Sequence, residues 1–548
     1  MMRGVSVTSY RVSESLSEEY YQKGYWSQDD FWTSFTAVAD RFPGKVALVD
    51  RESEVTFAEL KSRAMQFAAS ASQAGRQPGD IVILHGRHCI EAVVAILGCS
   101  LFGLVPALLP AMFSQEQIKR IISHTGASLL FSFGEEKELE RARLAVQGEE
   151  VTVVVPDDAL AGGDALSWTR FLQSGQGIAA PRSEMDPDEL MLLIYSSGTT
   201  GAPKGVMHSA NSARFSVMAY ADMHRVTDQD VELVITAFGF VGSSLLGFYL
   251  TLLKGCKSVL MRNWCAEEAI ALMERYQVTH FLLMPTHAID ILACPALDTI
   301  NSDCASRAVV AGVAPNYRID ARSRLCGTPF PMYGMSESPA HVTGGMTDDW
   351  DNLLTTEGRN LPGTDVLICD ENDNPVAVGE QGDILVRGPN RFLGYYRADD
   401  LNEMAISPEG YFRTGDIGFF DEKGYMTFVS RSKDIIRRGG VTITPAEIET
   451  ALRSHPDITD VAVIGLPDPR LGEKACACVI TANSHITLED VTVFLQEKGL
   501  ARYLWPESLE ICNEFPRTPS LKVQKNQLKE RVLQARSDST TTSNQHSQ

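Results

Sequence analysis

The stretch LIYSSGTTGAPKGVMHS, residues 193–209, gathers Ser196, Ser197, Thr199, Thr200, three glycines (Gly198, Gly201, Gly205) and Lys204 into one turn behind an apolar strand. Glycines permit backbone angles and close approaches that a Cβ forbids. The hydroxyls and the freed backbone N–H groups are convergent donors, and the lysine adds a positive charge. Such a loop suits a polyphosphate, which needs many donors on a flexible wrapper. A plain Gly/Ser surface turn has the same composition. No Gly-Lys-Ser/Thr follows at Walker A spacing, so the pattern points to phosphate but not to the P-loop NTPase mechanism. Two other clusters carry side chains capable of chemistry. His85, His88 and Cys89 in HGRHC stand at a strand end without a second ligand pair at structural-zinc spacing. Cys476 and Cys478 alternate along a strand, so both face one side, as packed small residues do.

The elements that hold these residues read as α/β. Over residues 46–170 the strand VALVD is followed by the helix FAELKSRAMQFAASASQ, the strand DIVILHG and the helix EAVVAILGCSLFG. The rhythm returns in KSVLMRN, EEAIALMERYQ and THFLLMP at 257–285. This alternation predicts helices layered on parallel sheets. Past residue 360, TDVLICDENDNPVAVGEQGDILVRG reads as short strands with turns. The last ~115 residues read as a compact α+β unit: PAEIETALRSHP and LEDVTVFLQEKG as helices, DVAVIGLPD and CACVITA as strands. The tail from Ser537, SDSTTTSNQHSQ, lacks an apolar face and is predicted to be disordered.

The 548 residues carry a net charge of −21 with 44% hydrophobic and 22% charged residues, an ordinary globular composition. The acidic balance argues against nucleic-acid binding, which needs clustered Lys and Arg. It leaves room for a single positive pocket. Residues 92–109 form an uncharged run, but Gly103 and Pro106 favour a buried helix followed by a strand over a membrane span. No secretory h-region is visible at the N-terminus, and eleven scattered cysteines suggest reduced thiols. Together these features predict a large cytoplasmic protein.

YSSGTTGAPKGV resembles the signature loop of the adenylate-forming superfamily, which includes acyl-CoA synthetases, peptide-synthetase adenylation domains and luciferases. Further matches follow in the family's order: AGVAP (311–315), YGMSES (333–338), GEQGDILVRGP (379–389), YFRTGDIG (411–418), SRSKDIIRRGGVTITPAEIE (430–449) and PRTPSLKVQK (516–525). The resemblance implies an α/β fold with a large N-terminal body of two α/β subdomains plus a β-rich subdomain, and a small mobile α+β C-terminal domain. The expected boundaries are 1–430 for the body (β-rich part about 355–430), 431–433 for a hinge, 434–536 for a lid and 537–548 for the tail. It also implies that ATP converts a carboxylate into an acyl-adenylate with loss of pyrophosphate, after which a thiol displaces AMP.

Carried over residue by residue, Ser196, Ser197, Gly198, Thr199, Thr200, Gly201 and Lys204 would wrap the phosphates. Gly312, Val313, Ala314, Tyr333 and Gly334 would line the nucleotide. Ser336 would sit beside the α-phosphate and Glu337 would hold Mg²⁺, a hard cation that takes oxygen ligands. Asp416 resembles the acceptor of both ribose hydroxyls, with Arg431 contacting the ribose from the hinge side. Lys522 would neutralise the substrate carboxylate and the α-phosphate together. Lys433 falls at the hinge, and Gly439 and Gly440 would line the path of a coenzyme A pantetheine arm. The acyl pocket would lie around Phe240, Gly242, Ser243 and Met335.

Three positions depart from the family pattern. Phe240 stands where many acyl-CoA synthetases carry a histidine. Gly242 stands where amino-acid-activating relatives carry an aspartate, so a buried ammonium would be unpaired. Leu521 precedes the lysine where glycine is common. The apolar pocket residues fit a medium-chain, alicyclic or aromatic acid. Coenzyme A is the expected acceptor, with the thiol of a separate carrier protein as the alternative. A non-catalytic adenylate-binding scaffold would have no need of Lys204, Glu337, Asp416, Arg431 and Lys522 together.

Overall fold

The computed structural model describes residues 12–51, 53–157, 165–196, 203–299, 307–438, 441–483, 485–517 and 523–545. The chain divides into two units. One comprises residues 1–366, 385–413 and 424–426, and the other 367–384, 414–423 and 427–548.

The first unit holds two large sheets. The nine-stranded sheet runs Arg359–Asn360, Ser338–Thr343, Thr328–Met335, Arg307–Ala311, His280–Leu283, Val231–Val234, Lys257–Leu260, Val46–Asp50, Ser53–Thr56. Its strands from Thr328–Met335 through Val46–Asp50 are parallel, as the strand–helix rhythm predicts. The eight-stranded sheet runs Gly394–Tyr395, Lys204–Ser209, Leu190–Ser196, Val105–Pro110, Ile81–Gly86, Leu129–Phe133, Thr152–Val155, Leu166–Ser167.

Period-two alternation sorts the strand residues between cores. Val234, Leu260, Leu282 and Val309 join Leu84, Leu108, Leu192 and buried helix residues in one cluster shared by both sheets. Leu233, Val259, Phe281 and Val310 face a second cluster, and Ile83, Ala107, Leu130 and Leu193 a third. Sheets buried on both faces read as near-continuous apolar runs, which is why these strands are conspicuous in the sequence.

The helices start where the local chemistry dictates. Thr56 and Glu59 form a capping box on Phe57–Gln73, satisfying orphan N–H groups of the first turn. The uncharged 92–109 run resolves into the helix Ile90–Phe102, the left-handed cap Gly103 and the strand Val105–Pro110. Thirteen helical residues span about 20 Å, short of a ~30 Å hydrocarbon core. Among the described residues no helix is long and apolar enough to cross a membrane.

The second unit holds residues of a four-stranded sheet, Asp365–Cys369, Gly382–Arg387, Phe412–Phe420, Met426–Arg431, and a five-stranded sheet. In the latter Ile458–Asp468 and Gly472–Thr481 pair antiparallel along their whole length, and Ser508–Ile511 adds parallel to the second. Helices Pro445–Leu452 and Leu488–Glu497 cover one face over Val461, Val463, Ala475 and Ala477. Leu528 and Val532 of the helix Lys525–Gln545 cover the other, with Cys476 and Cys478 buried among them.

Two features differ from the predicted segmentation. Contacts group 367–384, 414–423 and 427–430 with the C-terminal residues, so segment 431–433 lies inside the second unit. Strand pairing accounts for this, because Met426–Arg431 is hydrogen-bonded to Phe412–Phe420. The last helix also continues to Gln545, through residues expected to be disordered, because extending an anchored helix adds one hydrogen bond per residue fixed.

Candidate active site

In the first unit, four neighbouring parallel strands bring their C-terminal ends to one sheet edge, where ligands of open α/β sheets bind. Val231–Val234 leads into 236–243, His280–Leu283 into Met284, and Arg307–Ala311 into Gly312, Val313 and Ala314. Thr328–Met335 itself carries Tyr333, Gly334 and Met335. Gly312 turns the chain with φ +67°, and Pro315 opens the helix Pro315–Arg324.

Buried Arg318 anchors this turn. Its Nε donates to the Val313 carbonyl at 2.7 Å, Nη1 to the Thr356 carbonyl at 2.7 Å, and Nη2 to both Glu357 carboxylate oxygens at 3.0 and 3.2 Å. Burial raises the Glu357 carboxyl above its usual range despite the opposing guanidinium.

The segment from Tyr333 to Glu337 is sterically fixed. Tyr333 stacks edge-on to His341, and a Cβ on Gly334 would come within 2.5 Å of the Ala340 amide nitrogen. The Ser336 carbonyl accepts from His208 Nε2 at 2.8 Å. Since that nitrogen donates, Nδ1 is left as acceptor toward the Ser212 hydroxyl at 3.3 Å. Burial lowers the His208 imidazole to about 4, so it stays neutral.

His208 lies on Lys204–Ser209, the return strand of the hydroxyl-rich loop. Ser196 and Lys204 are paired at the base of that loop. Ser197, Gly198, Thr199, Thr200 and Gly201 lie outside the described residues, as do Gly439, Gly440 and Lys522.

Lys204 Nζ sits 5.2 Å from the centroid of the Tyr395 ring. The Tyr395 hydroxyl donates to Glu337 Oε1 at 2.7 Å. Tyr395 stands on the edge strand Gly394–Tyr395, antiparallel to the return strand with Tyr395 opposite Val206. Its backbone is clamped at both ends by Asn402, whose side chain accepts from the Tyr395 amide at 2.6 Å and donates to its carbonyl at 2.9 Å. The Phe392 amide donates to the Glu337 carbonyl at 2.8 Å. The His208–Ser336, Phe392–Glu337 and Tyr395–Glu337 contacts thus tie the two sheets together around Lys204 and Glu337.

The candidate acyl wall, 236–243, is a tight turn. Gly239 has φ +85°, and a Cβ there would meet Pro110 at 2.8 Å. A Cβ on Gly242 would meet the Leu282 side chain at 2.8 Å. Ser243 is buried, and its hydroxyl faces the backbone carbonyls of Ala237 (2.8 Å) and Phe240 (2.9 Å). It therefore closes the turn and offers no donor to a ligand. Val241, Met284 and Ala311 pack together against the shared core and make this edge apolar.

In the second unit, Asp416 is buried on the strand Phe412–Phe420, and Arg431 Nε lies 3.4 Å from its Oδ1. Gly415, with φ +69°, makes the turn before it, and the Asp416 amide donates to the Thr414 hydroxyl at 3.1 Å. Lys433 is exposed on a short 3₁₀ turn whose Ser432 hydroxyl donates to Asp383 at 2.8 Å.

Residues 35–396 match the AMP-binding enzyme family, and residues 447–522 match the AMP-binding enzyme C-terminal domain. This chain belongs to the AMP-binding enzyme family. Its membership confirms the adenylate-forming resemblance of the motifs. The salicyl-AMP ligase / salicyl-S-ArCP synthetase of Mycobacterium tuberculosis is 31% identical over 92% of this chain and 91% of its own. The medium-chain fatty-acid–CoA ligase of Escherichia coli K12 is 28% identical over 95% and 94%. The crystal structure of ATP-bound MatB from Rhodopseudomonas palustris shares the fold, with TM-score 0.81 and 24% identity over 92% of this chain and 99% of that one. The protein is thus an AMP-forming ligase that uses ATP.

The residues of this AMP-binding enzyme fit a nucleotide-borne Mg²⁺. Among the described residues no group of three or more His, Cys, Asp or Glu could hold a metal by itself. Half-buried Glu337 offers one carboxylate, and one carboxylate supplemented by phosphate oxygens is a ligand set Mg²⁺ accepts.

His85 and His88 are buried instead against the Ser132 hydroxyl (3.0 Å) and the Thr236 carbonyl (2.8 Å), and Cys89 caps the helix Ile90–Phe102. A cavity of about 120 Å³ lined by Arg51, Arg262 and Asn263 borders none of the residues named from the motifs.

Three residues of the site escape the sequence reading: Tyr395, His208 and Arg318. Each acts through a partner distant in sequence, and no local spacing marks such a partner.

Proposed function

We propose that this AMP-binding enzyme activates an apolar carboxylic acid with ATP and transfers the acyl group to the thiol of coenzyme A. In the first step a substrate carboxylate oxygen attacks the α-phosphorus and pyrophosphate leaves. In the second, the thiol sulfur attacks the acyl carbon and AMP leaves. The observation that supports this reading is the junction around Tyr395, which brings together Lys204, from the return strand of the motif of phosphate-binding composition, and Glu337, from the turn after a strand of the other sheet.

In this reading Thr199, Thr200 and Lys204 hold the β- and γ-phosphates, Glu337 faces the metal, and Ser336 lies beside the α-phosphate. Bound Mg²⁺ neutralises charge on the phosphate oxygens. Gly312, Val313, Ala314, Tyr333 and Gly334 receive the nucleotide base, with Arg318 fixing the Val313 carbonyl. Asp416 accepts the ribose hydroxyls, for which two carboxylate oxygens are suited, and Arg431 supports it. Lys522 brings the two reacting anions together. Lys433 is the pivot between the two half-reactions, and Gly439 and Gly440 give a pantetheine arm room to pass.

The pocket around Phe240, Gly242 and Met335 takes a medium-chain, alicyclic or aromatic acid. An amino acid is disfavoured because Gly242 has no carboxylate to pair an ammonium and little room to acquire one. A carrier-protein thiol is the second reading, favoured by likeness to a relative named as a salicyl-S-ArCP synthetase.

Pyrophosphate release from a panel of acids, with and without coenzyme A, tests the reading. Preference for a charged or amino-bearing acid overturns the pocket assignment. Acylation of a carrier protein with no coenzyme A turnover selects the second acceptor. Lys522→Ala is expected to abolish ATP–pyrophosphate exchange while sparing thioester formation from supplied acyl-AMP, and normal exchange removes Lys522 from the mechanism.

A further inference from the structure

Tyr395 stands between two charges that have opposite reasons to be near each other. Lys204 comes from the return strand of one sheet and Glu337 from the turn after Thr328–Met335 in the other. A lysine and a carboxylate meeting in a site without ligand collapse into an ion pair, which must break before either can serve a phosphate or a metal. Among the described residues these two make no such pair. The tyrosine occupies both instead, with its hydroxyl on one Glu337 oxygen at 2.7 Å and its ring face toward the ammonium at 5.2 Å.

Both contacts leave capacity in hand. A single hydrogen bond on Oε1 leaves Oε2 and further lone pairs for a cation. A cation–π contact at this distance is weak enough for the ammonium to leave toward phosphate. The phenol is the donor in this contact, because a carboxylate oxygen can only accept. Its own placement is over-determined, since Asn402, itself buried, holds both the amide and the carbonyl of Tyr395, and the ring packs edge-on to Phe392 with centroids 5.0 Å apart. A side chain pinned this firmly at the backbone can aim another.

We propose that Tyr395 is a positioning residue that aims the Glu337 carboxylate at the metal of the bound nucleotide. The inference rests on the reading of Glu337 as the metal-facing carboxylate. Tyr395→Phe keeps the ring, and with it the packing and the contact to Lys204, and deletes the one atom that reaches Glu337.

Binding of Mn²⁺ to the protein with ATP is followed by electron paramagnetic resonance, and binding of ATP in EDTA by fluorescence titration. Tyr395→Phe is expected to weaken Mn²⁺ about tenfold or more, the usual cost of losing a partner that orients a metal ligand, while ATP affinity in EDTA stays within about twofold. Unchanged Mn²⁺ affinity overturns the proposal. So does a parallel loss of metal-free ATP binding, which marks general damage to the junction.

Glu337→Gln, measured alongside, separates the two layers. If it leaves Mn²⁺ binding intact, the reading of Glu337 itself falls and the role of Tyr395 with it. If it abolishes Mn²⁺ binding while Tyr395→Phe does not, only the inference about Tyr395 falls.

Discussion

Lowering the pH from 7.5 to 5.5 is predicted to strip the folded protein of about half its stability or more, through histidines that the first unit keeps neutral. Burial holds the imidazoles of His85, His88, His208, His287 and His341 down to about 4, and burial with the neighbouring His280 holds His224 down to about 3. In the unfolded chain an imidazole titrates near 6.5. As pH falls, the unfolded chain therefore takes the proton first. The stability these groups contribute is whole above about 6.5 and is lost progressively as pH drops toward 4. Between 7.5 and 5.5 each such group costs about 1.4 kcal/mol, so six cost about 8 kcal/mol.

The buried Glu232–His280 pair works the other way. Burial raises the Glu232 carboxyl well above its usual range and lowers His280 to about 3, so the pair holds one proton however it is shared. The unfolded pair acquires that proton only on acidification, which returns about 1 kcal/mol to the folded state. The net loss of about 7 kcal/mol compares with a typical total of about 5–15 kcal/mol. Urea unfolding followed by tryptophan fluorescence at the two pH values measures it directly. A difference under about 2 kcal/mol, or imidazole resonances of the folded protein titrating near 6.5, refutes the reasoning.

Arg318→Met is expected to cost about 3–5 kcal/mol in the same unfolding assay, because it leaves Glu357 as a largely buried, unpaired carboxylate. The double variant with Glu357→Gln should regain most of that loss, and a double variant no better than the single one contradicts the ion-pair account. Gly334→Ala forces a Cβ to within 2.5 Å of the Ala340 amide and so displaces Ser336 and Glu337. ATP–pyrophosphate exchange should fall about a hundredfold with the thermal midpoint nearly unchanged, and wild-type exchange would show the segment to be slack. Asp416→Asn should raise the KM for ATP about ten- to a hundredfold, the worth of charge-assisted hydrogen bonds to two hydroxyls, and leave the KM for the acid alone. A change in the acid KM instead would move Asp416 out of the nucleotide site.

Much of the fold is written locally. Thr56 and Glu59 announce the helix Phe57–Gln73, and Gly103 ends the helix Ile90–Phe102 before its strand, because caps and left-handed glycines act within a turn of the chain. The same holds for the hydroxyl-rich loop and for the ordered motifs, each of which is a contiguous stretch whose backbone chemistry needs no distant partner.

HGRHC shows the limit of such reading. Its side chains are those of metal ligands, yet His88 reaches a carbonyl 148 positions away and Cys89 serves as a helix cap. Strand pairing is hidden from local reading for the same reason. Nothing within Met426–Arg431 states that it is tied to Phe412–Phe420, and that tie decides which unit it joins.

By itself the sequence determined the parallel α/β architecture, the phosphate-binding composition of one loop and the identity of the family, because burial period, capping and loop chemistry are encoded over a few residues. Only the tertiary structure decided which side chains meet around its return strand, Lys204–Ser209. Tyr395 meets Glu337 across 58 positions and His208 meets Ser336 across 128, and both pairs bridge two different sheets. Their meeting depends on the register of an edge strand and the packing of one sheet against another, which are set by the whole core and by no segment of it.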